Sequence, residues 1–126
     1  MKRILLIATG GTIVSSGKSP DQMTGYGIEN FRVTDLVAAV PGIEKIAELV
    51  REHFDSTNMR PSDWMRIRDV IVDGYADHDG FVILHGTDTM SYTAAALSYL
   101  IQDSPKPIVL TGSQKPMGNP FTDAKL

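Results

Sequence analysis

The 126-residue sequence contains no cysteine, which excludes disulfides, thiolate catalysis and Cys-based zinc sites. It has no apolar run long enough to span a bilayer. It has no basic cluster either. The 12 Lys and Arg stand against 15 Asp and Glu, a mildly acidic balance that disfavours nucleic acid as a partner. His53, His78 and His85 fall at no spacing of the HExxH kind, which argues against a metal site. The phosphate-loop patterns GxGxxG and GxxxxGK are both missing, as are internal repeats and low-complexity tracts. The opening Met-Lys-Arg-Ile-Leu-Leu-Ile-Ala is basic and then apolar, but its apolar part stops at Thr9-Gly10-Gly11. That is too short for the core of a signal peptide, so a first strand and a cytoplasmic protein are expected.

What is present suits one globular domain, with 42% hydrophobic residues. The unbroken run Phe81-Val82-Ile83-Leu84 suits a strand covered on both faces, extending over 81–85. It enters a small polar turn, His85-Gly86-Thr87-Asp88-Thr89, followed by an alanine-rich helical pattern over 91–101. Two further strands are expected: Ile4 to Ala8, running into Gly10-Gly11-Thr12, and Ile108-Val109-Leu110, ending in Thr111-Gly112-Ser113-Gln114. Residues 15–30 are rich in Ser, Gly and Pro and read as a long flexible loop or lid. Thr34 would cap a short helix through Val40, stopped by Pro41-Gly42. The pattern over 43–54 is ambiguous: Ile43, Ile46, Ala47 and Val50 favour a helix, while Leu49, Val50 and Phe54 could end a strand. Pro61 suits the first position of a helix whose stripe is Trp64, Ile67, Ile71 and Tyr75. Asp77 and Asp79 are expected to be solvated, and 121–126 resembles the first turn of a helix.

This strand–helix alternation implies a three-layer α/β/α fold, flavodoxin- or Rossmann-like, with a mainly parallel sheet and right-handed crossovers. Ligands of such sheets bind beyond the carboxyl ends of the strands. The turns at Gly10–Thr12, Gly86–Asp88 and Gly112–Gln114 would share that edge, joined by Asp55–Thr57 if a strand precedes it. There stand Thr12, Ser56, Thr87 and Asp88, hydroxyls beside a carboxylate, with glycine-turn N–H groups able to hold an oxyanion. The set suits acyl transfer on an amide or ester. Singly, each has a plainer role: Thr12 bonding its own turn, Thr87 or Asp88 capping the next helix, Ser56 capping the segment after it. Their convergence favours a site. His85 reads as a hydrogen-bonded structural histidine rather than a general base.

Ala8-Thr9-Gly10-Gly11-Thr12-Ile13 and Leu84-His85-Gly86-Thr87-Asp88-Thr89-Met90 resemble the two signature motifs of bacterial-type L-asparaginases. Asp55-Ser56-Thr57-Asn58-Met59, of the short cytoplasmic form, and Pro107-Ile108-Val109-Leu110-Thr111-Gly112-Ser113-Gln114 resemble the same family. The resemblance implies that Thr12 is the nucleophile and that Thr87 and Asp88 assist proton transfer and position water. It implies that Ser56 and the backbone at Thr57 hold the substrate α-carboxylate, Asp88 the α-amino group, and the Ser113 carbonyl the leaving amide. No cofactor or metal is implied. It also implies a strand within 48–54, against the local pattern.

The family likeness further implies a lysine beside the second Thr–Asp pair and a smaller C-terminal domain, both from beyond Leu126. Lys106, Lys115 and Lys125 do not match the lysine's motif. A homo-oligomer is implied for the full-length form, with a neighbouring subunit completing the pocket and a loop tyrosine, in the region of Tyr26, assisting. On this expectation residues 1–126 are an incomplete N-terminal α/β domain, inactive alone. The expected activity is hydrolysis of L-asparagine to L-aspartate and ammonia. The alternatives are a glutaminase, an asparaginase-like subunit of a tRNA-dependent amidotransferase, and a non-enzymatic amino-acid-binding module.

Overall fold

The computed structural model describes residues 2–14, 58–116 and 119–124, together with the backbone of 47–51. Within these the elements follow in the order β1 Ile4–Ala8, β2 Ala47–Arg51, α1 Pro61–Asp73, β3 Gly80–Leu84, α2 Met90–Leu100 and β4 Ile108–Thr111. The strands form one parallel sheet in the order β2-β1-β3-β4. The α/β class and the parallel sheet are those read from the sequence.

β1 and β3 are largely buried on both faces, which is why they read as continuous apolar runs rather than alternating ones. Leu5, Ile7, Phe81 and Ile83 meet Ile67, Ile71 and Leu97 on one face. Leu6, Ala8 and Leu84 meet Ile13 and Val14 on the other, with Ala124 packed against them. Both described helices thus lie on one face. The steps β2 to β3 and β3 to β4 run in the same direction across the sheet, so crossovers of one hand place their helices on one side. The helix expected over 34–40 and the loop expected over 15–30 lie outside the described residues.

Helix α1 begins as its sequence indicates, with Pro61 at the first position and Asp63 Oδ2 accepting the Arg60 N–H at 2.8 Å. Ile67 and Ile71 are fully buried, each burial contributing about 1.5–3 kcal/mol. Tyr75, beyond the end of the helix, stacks on Phe81 with ring centroids 5.7 Å apart.

One local expectation is met and two are corrected. The strand expected within 48–54 is found at Ala47–Arg51, against the helical pattern of 43–54, and pairs with β1 from Ile4↔Ala47 to Ala8↔Arg51. Five residues compatible with either state take the one that completes a ladder with a distant strand. Asp79 is not merely solvated. Its Oδ2 accepts the Arg3 N–H at 2.8 Å and its Oδ1 bonds Lys2 Nζ at 3.3 Å, while the Asp79 N–H bonds Arg3 O at 2.7 Å. The Arg3 N–H first, and then Lys2, hold the Asp79 carboxyl below its ordinary range. Finally, Phe121 and its described neighbours form a turn rather than a helix start, with Asn119 Oδ1 accepting the Phe121 N–H at 2.8 Å.

Candidate functional site

The register brings Ala8, Leu84 and Thr111 into one row, so the turns after β1, β3 and β4 leave the same edge of the sheet. β1 and β3 are neighbours, yet the chain proceeds from β1 to β2 on one side and from β3 to β4 on the other. The carboxyl edge at such a reversal is the place where open α/β sheets bind ligands. Thr12 follows the end of β1. Thr87 and Asp88 follow the end of β3.

The turns touch backbone to backbone. Gly11 has φ +87°, and a Cβ built on it would lie 2.4 Å from Gly86 Cα and 2.5 Å from Gly86 N. A Cβ on Gly112 would lie 2.4 Å from the His85 carbonyl oxygen and 3.2 Å from Thr87 Cγ2. The first contact requires both a left-handed backbone and no side chain, which only glycine supplies. Thr9 fastens β1 to β3 just before this point, its N–H and its Oγ1 both donating to Leu84 O, at 3.0 and 2.9 Å.

Thr12 opens a 3₁₀ turn, Thr12–Val14, anchored by the buried Ile13 and Val14 beneath it. Thr12 and Thr87 are half-buried and Asp88 is exposed. Ser113 is buried, its Oγ donating to Lys115 O at 2.8 Å. The N-cap of α2 is Thr89, so Thr87 and Asp88 stand ahead of the helix and do not cap it. Ser56, Thr57 and Tyr26 lie outside the described residues. Thr12, Thr87, Asp88 and Ser113 therefore lie in turns that leave one edge of the sheet.

Behind the Thr87 turn lies a hydrogen-bonded chain. His85 is fully buried; its Nδ1 is 2.7 Å from Gly86 O and its Nε2 is 3.0 Å from Thr93 Oγ1. A carbonyl only accepts, so Nδ1 carries the proton and Nε2 receives the Thr93 hydroxyl. Trp64 Nε1–H in turn donates to Thr93 Oγ1 at 3.1 Å. Burial pushes the His85 pKa down, and the bond to Gly86 O opposes this. His85 is accordingly an uncharged structural group that ties α1 and α2 to the turn, and both ring nitrogens are engaged.

One participant escaped sequence reasoning. Asp123 Oδ2 accepts the Gln114 N–H at 2.9 Å and Oδ1 accepts the Lys115 N–H at 3.0 Å. These bonds, led by that from Gln114, lower the Asp123 pKa. The only local signal is a Thr-Asp pair, which reads equally well as a helix cap.

A family model described as "Asparaginase, N-terminal" matches residues 3–126. The chain is 37% identical over 127 residues to the L-asparaginase of Thermococcus kodakarensis, covering 97% of this chain and 37% of that protein. It is 35% identical over 126 residues to a glutamyl-tRNA(Gln) amidotransferase subunit of Archaeoglobus fulgidus, covering 98% of this chain and 29% of that protein. The solved structure of the probable cytoplasmic L-asparaginase of Campylobacter jejuni is similar with a TM-score of 0.75 at 36% identity, covering 99% of this chain and 39% of its own. The chain thus spans well under half the length of each of these proteins.

Proposed function

This chain belongs to the asparaginase family, and on that premise we propose that it is the N-terminal α/β part of an amidohydrolase that converts L-asparagine to L-aspartate and ammonia. The observation that carries this reading is the approach of Gly11 to Gly86, which sets the Thr12 turn against the Thr87 turn across the strand-order reversal.

In the proposed reaction Thr12 Oγ1 attacks the side-chain amide carbon and loses its proton as the C–O bond forms. Backbone N–H groups of the glycine turns oppose the charge developing on the carbonyl oxygen. The C–N bond then breaks, and ammonia leaves with a proton added to its nitrogen. The resulting ester on Thr12 is cleaved by water, which Thr87 and Asp88 position and help to deprotonate; aspartate departs and the hydroxyl is restored. The Asp88 carboxylate pairs with the substrate ammonium group. Ser56 and the backbone at Thr57 hold the α-carboxylate, and the Ser113 carbonyl accepts a hydrogen bond from the leaving amide. The scheme uses no cofactor or metal.

The remaining parts of the reading concern the whole protein. A lysine and a smaller domain from beyond Leu126 complete the pocket, together with a neighbouring subunit of a homo-oligomer, so residues 1–126 alone are inactive. A cytoplasmic location is supported by the likeness to the Campylobacter protein. A second reading, a component of a tRNA-dependent amidotransferase, is favoured by the similarity to the Archaeoglobus fulgidus protein. There the same amide cleavage would supply ammonia to a partner.

The test is ammonia release by the full-length protein from L-asparagine and from L-glutamine. Thr12→Ala is expected to lower kcat by roughly a thousandfold or more with the fold retained, because the attacking oxygen is gone. Near-normal release by that variant would remove Thr12 from its role. Release from L-asparagine without any partner favours the hydrolase over the amidotransferase component.

A further inference from the structure

The turn after β4 is held from outside by a side chain that the reaction scheme does not use. Besides the two bonds from Asp123, Thr122 Oγ1 donates to Lys115 O at 3.0 Å, the same carbonyl that Ser113 Oγ reaches at 2.8 Å. The Ala124 N–H bonds back to Thr122 Oγ1 at 3.0 Å. Ala124 itself packs against the cluster of Leu6, Ala8, Ile13, Val14 and Leu84, the apolar layer under the Thr12 turn. One short segment, Thr122-Asp123-Ala124, therefore grips the Ser113 turn and rests on the layer that supports Thr12.

The grip has a directional consequence. Gln114 N–H and Ser113 C=O belong to one trans peptide plane, where N–H and C=O point in opposite directions. A carboxylate oxygen 2.9 Å from Gln114 N therefore aims the Ser113 carbonyl away from Asp123. The second oxygen, on Lys115 N–H, stops the turn from rotating about the first bond. Two successive backbone N–H groups converging on one carboxylate form a charge-assisted pair, stronger than neutral turn hydrogen bonds.

We propose that Asp123 is a positioning residue of the amide-hydrolysing site, aiming the Ser113 carbonyl at the departing nitrogen and holding it in place relative to Thr12. The inference rests on the role given to Ser113 above. Asp123 touches no reacting atom; it acts through the peptide plane. The carbonyl it aims stabilises the departure of ammonia more than the binding of asparagine. Loss of the carboxylate therefore affects kcat rather than KM.

The experiment compares Asp123→Asn with Asp79→Asn in the full-length protein. Asp79 is a matched control: it too is an exposed carboxylate accepting a backbone N–H, but at the opposite end of the sheet. Asp123→Asn is expected to lower kcat by about tenfold or more with KM for L-asparagine changed less than about threefold, because misplacing one group in a site is costly. Asp79→Asn should leave kcat unaltered. A normal kcat in Asp123→Asn, a change confined to KM, or an equal loss in Asp79→Asn would each overturn the proposal. Should Asp123→Asn fail to fold, Thr122→Val takes its place with the same expected split, and an unaltered kcat there also overturns it. Amide hydrogen exchange over residues 111–116 gives a readout independent of turnover. Asp123→Asn should accelerate it and Asp79→Asn should not; unchanged exchange rejects the clamp even if the parent releases no ammonia. Retained turnover in Thr12→Ala, by contrast, rejects the reaction scheme and leaves the exchange arm to decide on Asp123.

Discussion

Gly11 and Gly86 stand in such close contact that a single methyl group on Gly11 would lie 2.4 Å from the Gly86 Cα. The obstacle is the backbone of a buried turn and cannot swing aside as a side chain could. Gly11 also has φ +87°, a conformation costly for any residue with a Cβ. Gly11→Ala is therefore expected to lose roughly 2–4 kcal/mol of stability and most of the turnover of the full-length protein. Chemical denaturation and ammonia release check the two effects. Wild-type stability in this variant would show that the turns can separate without cost.

The second prediction concerns His85. Its folded pKa lies below the ordinary 6.5, because burial disfavours the imidazolium. Between the lowered value and 6.5 the unfolded chain binds the proton and the folded chain does not, so stability rises with pH across that window. The contribution is complete above about 6.5 and is lost as the pH falls toward the folded value. His85→Asn can still donate to Gly86 O but cannot titrate, so its stability should vary less with pH between about 5 and 7. Equal slopes for parent and variant, measured by urea unfolding, would exclude this contribution.

How much of this was legible in the sequence depends on where the deciding contact lies. β1 and β3 could be read because a strand buried on both faces is apolar throughout, and Ile7 and Ile83 each carry that signature locally; β4 was legible from its apolar run Ile108-Val109-Leu110 although Val109 is exposed. β2 was expected only through the family resemblance, since Leu49 and Val50 fit either element locally and the choice is made by β1, more than 40 residues away. The places of Thr12, Thr87, Asp88 and Ser113 followed from the glycines beside them, which mark turns at strand ends. The Asp123 clamp spans nine residues and depends on the path of the turn, so residue types alone did not disclose it.

The third prediction separates binding from chemistry at Asp88, an exposed carboxylate in the turn after β3. Asp88→Asn keeps the shape and removes the charge proposed to pair with the substrate ammonium. A charge-assisted bond contributes about 1.5–3 kcal/mol, so KM for L-asparagine should rise roughly tenfold to a hundredfold, with kcat falling as well. Steady-state kinetics of the full-length variant decide it; unchanged KM would take Asp88 out of substrate recognition.

The sheet order β2-β1-β3-β4 also governs how the molecule can be made. Of these four strands, the first to leave the ribosome is an interior one, and its partners begin at Ala47 and Gly80. At ordinary rates of synthesis, about 5–20 residues per second, β1 waits on the order of 4–16 s for β3. For that interval Leu5, Leu6, Ile7 and Ala8, all later buried, have no completed sheet to enter. The contact between Gly11 and Gly86 can therefore form only after β3 has emerged, long after the residue proposed to attack the substrate has been synthesised.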